Sequence, residues 1–97
     1  MSEIITWDPQ KARSNRRKHG ITFEEATSVF YDPLSLTIDD PVHSNDEDRL
    51  IIIGMSIQRQ VLVVVHADKG DIIRIISARR AEPYERIQYE EGYYGGE

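Results

Sequence analysis

Arg79 and Arg80 close the run IIRIISARR (residues 72–80), and Lys18 and His19 stand together ahead of Gly20. A guanidinium grips two oxygens of an anion at once, and an imidazole gives or takes a proton near neutral pH. The two blocks therefore hold what a site working on an anionic substrate needs. The blander reading of Lys18 and His19 is a pair of solvated cations favoured by the helix macrodipole. Asn15 precedes His19 by four residues, a spacing at which its amide can support the ring. Glu47 and Arg49, two apart at the mouth of a strand, point to one side of it, and read equally well as a surface ion pair contributing at most ~1 kcal/mol.

Glu85 and Tyr89 lie one helical turn apart, where both can reach one edge of a sheet; a tyrosine so placed is more often a core-capping residue with a wet hydroxyl. Arg74, set among isoleucines, must be paired or face a cleft or a partner. In a regular strand Ser77 and Arg79 share one side and Arg74 takes the other, so only a bulge would bring the two arginines to one face. His43 and His66 are isolated, there is no cysteine and no H-x-x-H, and neither a metal site nor a cofactor is expected.

These residues must be positioned by a small scaffold. At 97 residues the chain suffices for one modest core, hence one domain. The absence of cysteine fits a reducing compartment, and no apolar stretch approaches the roughly 18 residues of a membrane helix, so a cytoplasmic protein without membrane contact is expected. The net charge of −5 argues against a general nucleic-acid coat protein. Yet residues 11–18, KARSNRRK, hold five of the twelve basic residues and no acid, which allows a locally basic surface.

The segment EIITW (3–7) reads as a strand. Asp8 as N-cap, Pro9 at the first helical position and Gly20 as a left-handed terminator frame a helix from about Pro9 to Lys18. Its only apolar residue beyond Pro9 is Ala12, so it is held by its ends or used for its polar face. Thr22 and Glu25 form a capping box opening a second helix to about Tyr31, with Phe23, Ala26, Val29 and Phe30 on one stripe. LSLTID is a short strand and DPVHSNDED a polar loop. Three stronger strands follow, Arg49 to Ile57, Val61 to His66 and Ile72 to Ala78, joined by hairpin-length links and apolar on both faces. A last helix starts near Pro83, and the tail from residue 90 has the composition of a frayed end.

The blocks WDPQKARSNRRKHGITFEEATSVFYDP, EDR leading into LIIIG, VLVVV and RIISARRAEPYERIQYE resemble, in order and across roughly residues 5–89, the BrnT family of type II toxin–antitoxin toxins. The resemblance implies an α+β, RelE-like fold: a curved antiparallel sheet with two N-terminal helices on one face and a C-terminal helix. It implies a metal-independent endoribonuclease that arrests growth, with RNA as substrate. It implies a ribbon-helix-helix antitoxin of the BrnA kind, a 2:2 heterotetramer, and operator DNA bound through the antitoxin, which is expected on the basic helix or the open sheet face.

Such cleavage needs a base for the 2′-hydroxyl, an acid for the leaving 5′-oxygen and cations for the phosphorane. The matching blocks place Lys18, His19, Glu47, Arg49, Arg79 and Tyr89 in the catalytic pocket, with Arg79 on the scissile phosphate, and Lys11, Asn15 and Arg80 on the RNA. On this reading Arg79→Ala and His19→Ala abolish cleavage and leave thermal stability within a few degrees. Two other classes compete. A DNA-binding regulator would need its second helix in the groove, where Glu24, Glu25 and Asp32 repel phosphate; an inactive interaction module would keep the fold without the chemistry.

Overall fold

The computed structural model describes residues 4–40 and 48–92. In chain order the elements are β1 (Ile4–Trp7), α1 (Pro9–His19), α2 (Phe23–Ser28) continued by a 3-10 turn (Val29–Tyr31), β2 (Leu36–Asp39), β3 (Arg49–Met55), β4 (Val61–Lys69), β5 (Ile72–Arg80) and α3 (Pro83–Glu91). The sheet order is β1-β5-β4-β3-β2. Strands β2 to β5 form the expected antiparallel meander. β1 instead runs parallel to β5, with Ile4 opposite Ile72 and Trp7 opposite Ile75, so the sheet is mixed rather than wholly antiparallel. The intervening chain supplies the long crossover that a parallel pair requires.

One face carries the two N-terminal helices. Phe23, Ala26 and Val29 of the second helical segment are fully buried against Ile52, Leu62, Val64, Ile75 and Ala78. Trp7 meets Phe23 edge-on at 5.9 Å. Phe30, in the 3-10 turn that continues α2, is half-buried and stands edge-on to His66 of the central strand. His66 is buried there, and burial pushes its pKa down against the pull of the Val64 backbone and Asp68. Gly54 lets this turn approach β3, since a Cβ at that position would lie 2.9 Å from Val29 Cγ1 and 3.0 Å from Ser35 Cβ.

The caps follow from the sequence. Asp8 accepts the Gln10 amide, and Gly20 closes α1 in the left-handed region. Thr22 accepts the Glu25 amide, but the Glu25 carboxylate completes no box; it turns to Ser56 and Gln60. Among the described residues, the opposite sheet face is covered at one end, where Tyr89 of α3 packs with Ile53 and Val63, and with Ile51, Val61 and Ala81 around them.

A bulge in β5 sets which residues share that face. Val65 pairs with Ser77 but His66 pairs with Ile75, leaving Ile76 as the extra residue. Arg74, opposite Ala67, and Arg79, opposite Val63, therefore point to the same side. Four residues of β4 separate their rows, about 13 Å, so the two arginines share a face without sharing a site.

Candidate active site

At the end of the sheet where β3 stops, β4 starts and β5 stops, a cavity of about 290 Å³ is lined by Met55, Arg59, Gln60, Val61, Arg80, Ala81, Arg86, Tyr89 and Glu90. Three arginines and one glutamate are among the lining residues, which makes it locally cationic on an acidic protein. The C-terminus of α1 adjoins it: a Cβ placed on Gly20 would lie 4.0 Å from Arg80 Nη1. Arg16, Arg17, Lys18 and His19 fill the last turn of that helix, so their charges sit at the favourable end of its dipole.

Arg80 is held from behind. Its Nε donates to Gln60 Oε1 at 2.6 Å, the Gln60 amide donates to Glu25 Oε2 at 2.8 Å, and Ser56 Oγ donates to the same oxygen at 2.6 Å. Glu25 is buried, and these two donors are what allow a carboxylate there. Ser28 Oγ accepts the Ile57 amide, so the turn of the β3–β4 hairpin is stitched to α2. Arg59, at the tip of that hairpin, has φ +66°, a conformation that favours glycine and costs other residues about 1–2 kcal/mol. Arg59→Gly is expected to raise unfolding stability by about 1 kcal/mol, read by chemical denaturation; an unchanged or lowered stability would show that the Arg59 side chain, not its backbone, decides this position.

The sequence-expected residues fall into distinct groups. Lys18 is exposed and His19 half-buried in the helix turn that ends at Gly20, and Arg80 and Tyr89 line the cavity. Arg49 pairs with Ala67, whereas the cavity floor is Met55 opposite Val61; six residues of β4, about 20 Å, place Arg49 at the other end of the sheet. Neither Arg49 nor Arg74 is without a partner. Glu47 and His43 lie outside the described residues. Lys11 is exposed on the first turns of α1, about 10 Å along the axis from Lys18.

Asn15 is buried and its amide is spent on backbone. Nδ2 donates to the carbonyls of Ile21 at 3.0 Å and Ala78 at 2.8 Å, and Oδ1 accepts the Ala78 amide at 3.0 Å. No donor remains for the His19 ring or for RNA; Asn15 clamps α1 to β5 instead.

Arg79 is likewise committed. Its Nη1 and Nη2 donate to the two oxygens of Glu85, both at 2.9 Å. Glu85 also accepts the Glu82 amide at 2.7 Å. Burial opposes the charge on Glu85, but the Arg79 and Glu82 bonds outweigh it and hold the carboxyl below its ordinary range. The same pair raises the Arg79 pKa. The Arg79 side chain is 38% exposed and that of Glu85 only 7%, so removing the arginine strands a buried carboxylate. Arg79→Ala is expected to cost about 1–3 kcal/mol after allowance for the exposed partner, lowering Tm by several degrees; an unchanged melt would show that Glu85 finds other donors. This contrasts with the thermally silent variant that the sequence suggested.

Tyr89 donates its hydroxyl to Asp32 Oδ2 at 2.6 Å. Burial and the Asp32 carboxylate push the phenol up to about 12. Asp32 also accepts the Met55 and Leu34 amides; these bonds and Tyr89 overcome its burial and lower its pKa. Tyr89 thus stays protonated at neutral pH with its proton directed at Asp32, and serves the cavity as a wall and a hydrogen-bonding edge.

Arg59, Arg86 and Gln60 line the cavity and were passed over in reading the sequence. Arg86, Tyr89 and Glu90 stand at spacings of three and four on α3, a stripe visible in the sequence. Arg59 occupies a hairpin position where glycine is the default. Among the described residues no three of His, Asp and Glu come together as metal ligands, and no helix is long and apolar enough to cross a membrane.

The model of a family described as the ribonuclease toxin, BrnT, of type II toxin–antitoxin systems matches residues 7–85. Among solved structures, the chain is similar to the Brucella abortus ribonuclease toxin BrnT, known from a crystal structure at 1.1 Å. The two are 25% identical, the match covers 84% of this chain and 99% of that one, and the TM-score is 0.64. No curated protein matches the chain.

Proposed function

Because the chain belongs to the BrnT family of ribonuclease toxins of type II toxin–antitoxin systems, we propose that it is a metal-independent endoribonuclease acting at the cavity lined by Arg59, Arg80 and Arg86. The observation that carries this placement is the convergence of those three arginines beside the basic C-terminal turn of α1. RNA carries its own nucleophile: the 2′-oxygen attacks the adjacent phosphorus, its proton leaves to a base, and the 5′-oxygen departs with a proton from an acid, giving a 2′,3′-cyclic phosphate. Negative charge builds on the non-bridging oxygens, where guanidiniums stabilise it most.

In this reading Arg80 holds the scissile phosphate, Arg59 and Arg86 its neighbours, and Lys18 adds charge. His19 transfers protons and Tyr89 shapes the wall. Arg80 takes the role first given to Arg79 because Arg79 is already bonded through both Nη groups, and a phosphate there would have to displace Glu85. The protein works in the cytoplasm, arrests growth, and is neutralised by a BrnA-like antitoxin with a ribbon-helix-helix part in a 2:2 heterotetramer that holds operator DNA.

The deciding experiment incubates the purified protein with a defined RNA in excess EDTA, alone and with antitoxin. Cleavage leaving cyclic phosphate ends, insensitive to EDTA and suppressed by antitoxin, is the expected result. Intact RNA under both conditions would favour an inactive interaction module, and restoration only by divalent cation would overturn metal independence.

A further inference from the structure

Next to the cationic cavity lies an open groove of about 550 Å³ whose exposed rim is apolar, formed by Tyr31, Leu34, Met55 and Ile57. Leu34 and Ile57 are 69% and 78% exposed. Neither is a loose side chain on a loose loop. The Leu34 amide is bonded to Asp32 Oδ1 at 3.0 Å and the Ile57 amide to Ser28 Oγ at 2.8 Å. The backbone therefore presents these groups to water in a fixed arrangement, and a preformed, contiguous apolar rim of this kind marks an interaction surface.

Met55 and Tyr89 line both the groove and the cavity. The two compartments therefore adjoin at these residues, and a segment laid across them would run along a channel apolar at one end and arginine-lined at the other. Resting on the function proposed above, we infer that this channel is the docking site of the antitoxin: one extended or helical segment sets apolar side chains between Leu34 and Ile57, crosses Met55 and Tyr89, and puts a carboxylate on Arg59, Arg80 or Arg86. The charge pattern selects this occupant. Three arginines against Glu90 call for an acid, but a protein of net charge −5 repels an acidic partner at long range, so carboxylates alone would bind weakly. The apolar end supplies affinity and the arginine end fixes register. Neutralisation is then direct competition with RNA for the same guanidiniums.

Two measurements test it on the full-length protein with purified full-length cognate antitoxin. Leu34→Asp combined with Ile57→Asp, both outward-facing and outside the RNA site, should weaken antitoxin binding in calorimetry by about thirty-fold or more, the loss expected for removing a hot spot, with RNA cleavage unchanged. In wild type, the antitoxin concentration that halves cleavage should rise in proportion to RNA concentration. Should the double variant melt early, Tyr31→Ser, which is 74% exposed, must weaken binding in the same direction. Wild-type affinity in these folded variants would overturn the docking site, as would inhibition independent of RNA concentration. Loss of self-association with antitoxin affinity retained would assign the groove to a second copy and likewise defeat the proposal. If the protein cleaves no RNA, the functional reading falls, while the calorimetric comparison still decides the docking site.

Discussion

Arg80→Ala lowers the single-turnover rate of RNA cleavage by ~10²–10³, the usual cost of losing one donor aimed at developing negative charge, and leaves the melting temperature within a few degrees. The first half follows from its place in the cavity wall beside Gly20 and from the Glu25–Gln60 relay that fixes its Nε. The second follows from its exposure and from its bonds: Arg80 meets the Gln60 amide oxygen, and the buried Glu25 carboxylate keeps its own donors from Ser56 and Gln60, whereas Glu85 bonds Arg79 directly. Arg80→Lys keeps the charge and loses the fork that matches two phosphate oxygens, so it should recover only part of the rate. A folded Arg80→Ala protein cleaving at the wild-type rate would displace the phosphate site from this end of the sheet.

Phe23→Ala costs about 3–5 kcal/mol of unfolding free energy, as expected for deleting a fully enclosed aromatic side chain. Phe23 is fully buried, lies on the helix face of the sheet and carries the edge-on contact with Trp7. Phe30, which the helical stripe placed beside it as an equal partner, is half-buried and should cost less on the same replacement. Urea denaturation of both variants reads the difference. A Phe23→Ala loss below that of Phe30→Ala would mean that the core can collapse into the space.

Local signals carried the fold. Asp8-Pro9 and Gly20 bounded α1, and the Phe23, Ala26, Val29 stripe chose the buried face, because capping and periodicity are decided by neighbours in the chain. The family resemblance was legible from block order, and the family match agrees with it. What did not read through were choices made by residues distant in sequence. The direction of β1 depends on a partner strand at the far end of the chain. Asn15 had the right spacing for His19, yet Ala78, 63 residues away, takes its amide. Glu25 looked like a cap residue and anchors Ser56 and Gln60 instead. Arg79 looked like the free guanidinium of the SARR block; Glu85, six residues on, engages it once α3 folds back on the sheet. Composition favours such pairings without naming the partners, so the cationic cavity was visible only in part, through Arg80 and Tyr89.

The parallel register of β1 on β5 also bears on when this molecule becomes dangerous. Ile4 meets Ile72, so the first strand made must wait for one of the last, and closing so large a loop before any pairing rewards it slows folding. The Asn15 clamp on Ala78 imposes the same wait on α1. Until β5 has been synthesised the C-terminal turn of α1 has nothing to stand beside, and Arg80 and Arg86 do not yet exist in the chain. If RNA is cleaved at the cavity proposed above, a growing polypeptide of this topology lacks the assembled site until β5 and α3 have been made, and an antitoxin then meets a chain whose site has only just closed.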